Sequence, residues 1–113
     1  MKKNIVVILM LLHCSASFAA SHACTSKVSN LYINSSGFVT ASFAFRSEFL
    51  AICNLNADWK GVSPITCAGW FSILKSAVTR QTDVVLHYLD IAACNTLPTY
   101  EGAPAPFYVM LVN

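Results

Sequence analysis

The sequence predicts a small, mainly β domain with one helix, whose elements follow the order β-β-β-α-β-β. Three runs of residues that suit strands precede residue 56, and two more follow residue 82. Between them, residues 64–80 change to an apolar period of three and four, which predicts a helix. The chain has 113 residues, of which 56 % are hydrophobic and 11 % charged, so it is long enough for one domain and too apolar for a disordered tail.

The first two predicted strands form a hairpin. Residues 28–35 are rich in residue types that favour strands, and the glycine of Ser35-Ser36-Gly37 adopts the positive φ that tight turns need. Residues 38–45 then alternate between apolar and small polar side chains. Two such runs around a glycine-containing turn predict a β-hairpin.

The remaining elements follow in order along the chain. Residues 46–48 are a polar break, and residues 49–55 predict the third strand. Ser63 followed by Pro64 fits an N-cap and a first helical position, and Arg80 ends the periodic segment. After this helix, the predicted elements are two strands separated by a proline-containing loop: residues 83–90, the loop 95–106, and residues 107–112.

The N-terminus predicts a secretory signal peptide over residues 1–20. Two lysines follow Met1, residues 5–12 are an unbroken apolar run, and small residues come next. This run is far shorter than the ~20 residues of a membrane span. We expect cleavage between residues 19 and 23, which leaves one domain over residues 21–113, secreted or periplasmic in a bacterium.

Removal of the signal peptide leaves a neutral domain. Lys2 and Lys3 leave with it, so seven Lys and Arg residues become five, which balance the five Asp and Glu residues. A neutral domain has no long-range field that attracts polyanions. We therefore expect neither nucleic acid nor an anionic membrane surface as a partner.

Four cysteines remain in the mature chain, namely Cys24, Cys53, Cys67 and Cys94. An even number in a small exported domain is typical of two disulfides. Of the three connectivities we favour Cys53–Cys67, which closes a short loop, and Cys24–Cys94, which ties the N-terminus to a late segment. We expect no metal site and no cofactor, because the close Cys and His spacing of zinc sites does not occur.

No arrangement of residues typical of an enzyme occurs in the mature sequence. His87 lies between Leu86 and Tyr88, where a packed or surface histidine is more common than a general base. Asp83 and Asp90 are about 20 Å apart along an extended strand, too far to act as a carboxylate pair. We expect a non-enzymatic protein.

Trp59 and Tyr100 are the strongest candidates for ligand contact. Trp59 lies in the polar loop 56–63, and Tyr100 precedes Glu101 in the proline-containing loop. Exposed aromatic side chains on loops are common binding anchors, and their faces also stack on sugar rings. The alternative for Trp59 is that its ring folds back onto the helix.

The predicted element order is that of the OB-fold, a small, partly open five-stranded barrel. A different α+β roll could use the same elements. Closure of a barrel would also cover the sheet edges, which an apolar exported domain must protect. The sequence therefore predicts an OB-fold-like five-stranded barrel stapled by disulfides.

Several spacings between residues 28 and 88 resemble a known family. They are the glycine at the hairpin tip (Gly37), a cysteine in the third strand (Cys53), a second cysteine at the helix (Cys67) and a Val-x-x-x-Tyr strand (Val84 to Tyr88). This pattern resembles the B subunits of bacterial AB toxins of the subtilase-cytotoxin and pertussis-like group. The chain departs from that family in lacking its longer C-terminal region.

The resemblance implies glycan binding and association into a homo-oligomer. In those subunits a serine just ahead of the first strand contacts sialylated glycan, and Ser26 falls near that place here. The leading hypothesis is therefore a secreted or periplasmic binding module for a glycan or a protein. The alternative is a small secreted inhibitor or protein-interaction domain that acts on a host or rival enzyme through the loop 95–106.

Overall fold

The computed structural model describes residues 20–113 and confirms a mainly β domain with one α-helix. Residues 1–19 of the predicted signal peptide lie outside the described residues, and its last predicted residue, Ala20, begins the first strand. A short 3₁₀ turn at Cys94–Thr96 adds to the predicted elements. The strands and the helix are β1 (Ala20–Ile33), β2 (Phe38–Phe43), β3 (Arg46–Asn54), α1 (Pro64–Arg80), β4 (Asp83–Ile91) and β5 (Tyr108–Leu111).

The five strands form one antiparallel sheet in the order β3-β2-β1-β4-β5. The central strand β1 is shared, because its residues 20–27 pair with β4 and its residues 28–33 pair with β2. The register shifts between Val28 and Asn30, which is the kind of irregularity at which a strand bends. The sheet is open among the described residues, with β3 and β5 at its edges, so the predicted barrel closure is not established.

The hydrophobic core lies between the sheet and α1. Its largest buried side chains come from all parts of the fold and include Phe43, Leu50, Leu74 and Tyr88. Residues 39–43 of β2 and 50–54 of β3 are buried without interruption. A strand with consecutive buried residues is covered on both faces, so a second layer of side chains must lie on the side away from α1.

Helix α1 begins and ends where the sequence predicts. The Ser63 hydroxyl accepts a hydrogen bond from the Thr66 N–H at 3.2 Å, and Pro64 occupies the first turn. At the other end Gln81 adopts a left-handed conformation, and its N–H donates to the carbonyl of Ala77. No helix within residues 20–113 is long and apolar enough to cross a membrane.

Two disulfides link the sheet to the segments outside it. Cys24 of β1 is bonded to Cys94 in the 3₁₀ turn, 70 residues away, and Cys53 of β3 is bonded to Cys67 of α1, 14 residues away. Their Cα atoms are 5.7 and 5.5 Å apart, within the usual range for disulfides. This is the connectivity that the sequence favours.

The strand boundaries differ most from the predicted ones at the starts of β1 and β3. β1 begins at Ala20 rather than near Val28, because its polar first half is held by pairing with β4 and not by an apolar pattern of its own. The polar residues 46–48, predicted as a break, belong to β3, since Arg46 pairs with Phe43 across a two-residue turn.

Candidate functional site

Five aromatic side chains gather on the outer side of the sheet, and we call them the aromatic face: Tyr32, Phe38, Phe49, Trp59 and Tyr100. Tyr32 meets Phe49 edge-to-face with ring centroids 5.1 Å apart, and Phe49 lies 6.3 Å from Tyr100. Phe38 meets Trp59 edge-on at 5.6 Å. These separations are favourable for aromatic pairs, so Tyr32, Phe49 and Tyr100 form one packed group and Phe38 and Trp59 form a second.

A pocket of about 240 Å³ opens between these rings. Thr40 and Ala51 are buried at its floor, whereas Tyr32 is 39 % and Tyr100 is 50 % exposed. A mixture of apolar walls and a few polar groups is typical of small-ligand sites. The pocket is lined by Tyr32, Asn34, Phe38, Thr40, Ala51, Tyr100 and Glu101.

The backbone of Tyr100 is attached to the edge of β3. Its N–H donates to the carbonyl of Phe49 at 2.7 Å, and its carbonyl accepts from the N–H of Ala51 at 3.1 Å. These bonds hold Tyr100 at a φ of 51°, a left-handed conformation that is strained for a bulky residue. Such strain concentrates at functional sites, and here it presents the ring outward from a fixed backbone.

Lys60 links the loop after β3 to the loop before β5. Its ammonium group donates to the carbonyls of Glu101 at 3.1 Å and Ala103 at 2.6 Å, and it lies 4.7 Å from the ring centroid of Trp59. Trp59 and Val62 exchange two backbone hydrogen bonds, which close the turn that presents Lys60. The loops of the two predicted aromatic anchors therefore form one surface.

The turn between β1 and β2 supplies the polar edge of the pocket. The Asn34 Oδ1 accepts from the N–H groups of Ser36 and Phe38 at 3.1 and 3.0 Å, and its NH₂ group makes no hydrogen bond within residues 20–113. Gly37 has a φ of 90°, and a Cβ there would come within 2.6 Å of Asn56. The turn thus needs glycine and fixes the Asn34 amide as a donor beside the rings.

Ser26 does not belong to the aromatic face. Its hydroxyl donates to the Lys27 carbonyl at 2.8 Å and accepts from the Ala44 N–H at 3.2 Å, so it links β1 to the turn between β2 and β3. It lies six residues from Tyr32 along β1, about 20 Å away. The structure brings Trp59 and Tyr100 together and leaves Ser26 apart from them.

No group of three metal-binding side chains lies together in the described part of the chain. His87 stacks on Tyr108 with ring centroids 4.9 Å apart, and its Nδ1 is buried without a hydrogen-bond partner within residues 20–113. Asp83 forms an ion pair with Lys27 at 3.7 Å. These contacts give His87 a packing role and Asp83 a pairing role.

Sequence reasoning missed Tyr32, Phe38, Phe49 and Lys60 as site residues. The three rings lie in strands, where aromatic residues are also expected for packing, and Phe38 shares its side of β2 with Thr40 and Ser42, opposite the apolar Val39, Ala41 and Phe43. The contacts of Lys60 join residues more than 40 positions apart, which no local pattern indicates. Comparisons with protein-family models, with curated proteins and with solved structures found no match, so the geometry of this site alone supports its interpretation.

Proposed function

We propose that this chain is an exported, non-enzymatic binding module with an OB-like fold that holds a glycan on the aromatic face. The observation on which the proposal depends is the pocket between Tyr32, Phe38 and Tyr100, with the Asn34 amide and the Glu101 carboxylate at its edge. Aromatic rings offer π faces to the C–H groups of a sugar ring. Amide and carboxylate groups bind its hydroxyls.

The position of the pocket supports an OB-like fold and ligand binding at this face. In OB-folds the face of strands 2 and 3, together with the loops 1–2 and 4–5, binds oligonucleotides and oligosaccharides. Here the pocket takes Asn34 from the first of these loops, Thr40 and Ala51 from β2 and β3, and Tyr100 from the second loop. The parallel bridge between Leu50 and Tyr100 spans part of the gap that a barrel would close. This argument is an analogy with other OB-folds, and it adds to the argument from the residues that line the pocket.

Export and oxidising surroundings fit the covalent structure. Two disulfides in a small domain are typical of secreted and periplasmic proteins. We therefore place the mature protein in the periplasm or outside the cell. The balance of charges favours a glycan over a nucleic acid as the ligand.

Association into a homo-oligomer is part of the proposal. The outer side of β4 and β5 exposes Leu89, Tyr108 and Met110, and β5 is an edge strand with free hydrogen-bonding groups. An exposed apolar edge is a surface on which a second copy can pair. Native mass spectrometry of the exported protein tests this: a ring of several copies supports it, and a monomer at micromolar concentration contradicts it.

The test of glycan binding compares the mature protein with a variant that lacks the Tyr100 ring. Tyr100→Asn keeps a residue type that tolerates the left-handed conformation, so the backbone is preserved. We expect a glycan array to show binding by the unchanged protein, and titration of a bound glycan to show at least about tenfold weaker affinity for the variant. Val78→Asn, on the exposed side of α1 and outside the aromatic face, is the control and keeps full affinity. Failure to bind any glycan, or equal binding by Tyr100→Asn, contradicts the proposal.

The second candidate is an inhibitor or protein-interaction domain that uses the loop before β5. It is favoured by Phe107, which is 64 % exposed and directly follows Pro106. An exposed aromatic on a rigid loop is a common anchor in protein interfaces. Affinity capture from envelope or host extracts, with Phe107→Ala as the comparison, tests it. A stoichiometric enzyme partner lost in the variant supports this function, and no such partner contradicts it.

A further inference from the structure

We infer that the aromatic face selects glycans without acidic groups and rejects sialylated or sulfated ones. This inference rests on the proposed function and names the ligand class of the same site. It differs from the sialylated ligand that the family resemblance implies. Three observations support it: the charges that line the pocket, the contacts of Lys60, and the hydrogen-bonding groups at the pocket edge.

Among residues 20–113, Glu101 is the one charged residue that lines the pocket. Glu101 is exposed, and the one ion pair within residues 20–113 joins Lys27 to Asp83 elsewhere. No Lys, Arg or His of the described part of the chain lines the pocket. A bound carboxylate or sulfate would therefore lie beside a like charge and find no cation among the lining residues. At about 4 Å in water, such repulsion changes an equilibrium constant about fivefold.

Lys60 is bonded to the loop that carries Glu101, and two of its three donors are already occupied. The Lys60 ammonium donates two of its three N–H groups to the carbonyls of Glu101 and Ala103. Its charge lies over the Trp59 ring. Lys60 itself does not line the pocket, and its remaining N–H group is exposed. The contacts with Glu101 and Ala103 hold the two loops together and keep the Lys60 ammonium outside the lining of the pocket.

The polar groups at the pocket edge suit uncharged hydroxyls. The Asn34 NH₂ group is a donor without a partner within residues 20–113, and the Glu101 carboxylate accepts hydrogen bonds only. Sugar hydroxyls both donate and accept, so one neutral sugar can satisfy both groups. An acidic sugar offers an acceptor to Asn34 but places its charge beside Glu101.

The experiment uses an array of neutral glycans, each printed beside the same glycan with a terminal sialic acid or sulfate. The mature protein is compared with Glu101→Gln, and Glu48→Gln is the matched control, because Glu48 is exposed but does not line the pocket. We expect the unchanged protein to bind the neutral member of a pair at least about fivefold more strongly. The ratio should fall toward one in Glu101→Gln and stay unchanged in Glu48→Gln. Added salt should also reduce the ratio, because salt screens charge repulsion.

The outcomes separate this inference from the proposed function. Equal or stronger binding of the acidic members overturns the charge selection and leaves glycan binding in place. A neutral preference that neither Glu101→Gln nor salt changes also overturns it, because shape and not charge would then exclude the acidic sugar. No binding to any neutral or acidic glycan overturns the proposed function, and the inference falls with it.

Discussion

At the scale of single residues, the least satisfied polar group in the core is the Tyr88 hydroxyl. Tyr88 is fully buried in β4, and its hydroxyl oxygen has no hydrogen-bond partner within residues 20–113. An unpaired buried polar group costs about 1–3 kcal/mol. We expect Tyr88→Phe to raise the free energy of unfolding by about 1 kcal/mol, measured by urea denaturation. Tyr108→Phe, which removes a partly exposed hydroxyl, should change it by less than about 0.5 kcal/mol. A loss of stability in Tyr88→Phe would show that the hydroxyl has a partner.

The same residue predicts how stability changes at alkaline pH. Burial raises the pKa of the Tyr88 hydroxyl above its ordinary value, because the charged phenolate would lose its hydration. Above about pH 10 an unfolded tyrosine loses its proton, while the folded Tyr88 keeps it. The folded state then binds more protons, so stability falls as the pH rises, by up to about 1.4 kcal/mol per pH unit. We expect denaturation midpoints measured between pH 9 and 11 to fall less steeply in Tyr88→Phe than in the unchanged protein. If the denaturation midpoint falls equally steeply with pH in both proteins, the raised pKa does not belong to Tyr88.

At the scale of elements, local patterns were sufficient where an element depends on its own residues. Helix α1 matches its prediction because Ser63, Pro64 and the apolar spacing are all local signals. The first half of β1 could not be predicted, since its polar residues are ordered by pairing with β4 about 60 residues away. The candidate site likewise combines local features, which the sequence indicates, with long-range contacts, which it does not. The loop positions of Trp59 and Tyr100 were evident, but their joining by Lys60 is a long-range contact.

The N-cap of α1 gives a direct test of those local signals. The Ser63 hydroxyl satisfies the N–H of Thr66, which has no partner within the helix. We expect Ser63→Ala to lower the free energy of unfolding by about 1 kcal/mol in urea denaturation. Ser72→Ala, on the exposed side of the same helix, should not lower it. Equal losses in both variants would show that the cap contributes nothing specific.

Lys60 links the loop after β3 to the loop before β5, and the arrangement of the site depends on this link. In Lys60→Met the aliphatic chain remains, but the hydrogen bonds to Glu101 and Ala103 are lost. We expect faster amide hydrogen exchange in the loop before β5, because its opening no longer breaks those bonds. Glycan affinity should fall with it. Lys75→Met is the matched control, since Lys75 is exposed on α1 and lies over the Phe71 ring at 5.7 Å. Unchanged exchange in Lys60→Met would contradict the linking role.

At the scale of the whole molecule, the two disulfides constrain the chain over different lengths. Loop-closure entropy predicts about 4 kcal/mol of stabilisation for the 70-residue separation of Cys24–Cys94 and about 3 kcal/mol for the 14-residue separation of Cys53–Cys67. We expect the Cys24→Ala/Cys94→Ala double variant to be less stable than Cys53→Ala/Cys67→Ala by about 1 kcal/mol. Denaturation of both variants beside the unchanged protein measures the difference. The reverse order would show that packing around Cys53 and Cys67, and not chain entropy, dominates.

If the proposed signal peptide is removed, the position of its cleavage decides whether the central strand is complete. Ala20, His22 and Ala23 pair with β4, so cleavage after Ala19 keeps these pairings, whereas cleavage after Ala23 removes them. We expect cleavage at the early end of the predicted range, after Ala19, so that the mature chain begins at Ala20 and not at residue 21. Intact-mass measurement of the exported protein determines this. A form that begins at Cys24 should lose about 2 kcal/mol of unfolding free energy, because the hydrogen bonds of this segment are worth about 1 kcal/mol each. If the natural product begins at Cys24 with no loss of stability, residues 20–23 of β1 do not contribute to the stability of the sheet. Since Cys24 begins the segment that the disulfide to Cys94 fixes, such a result would make that bond the true N-terminal anchor of the domain.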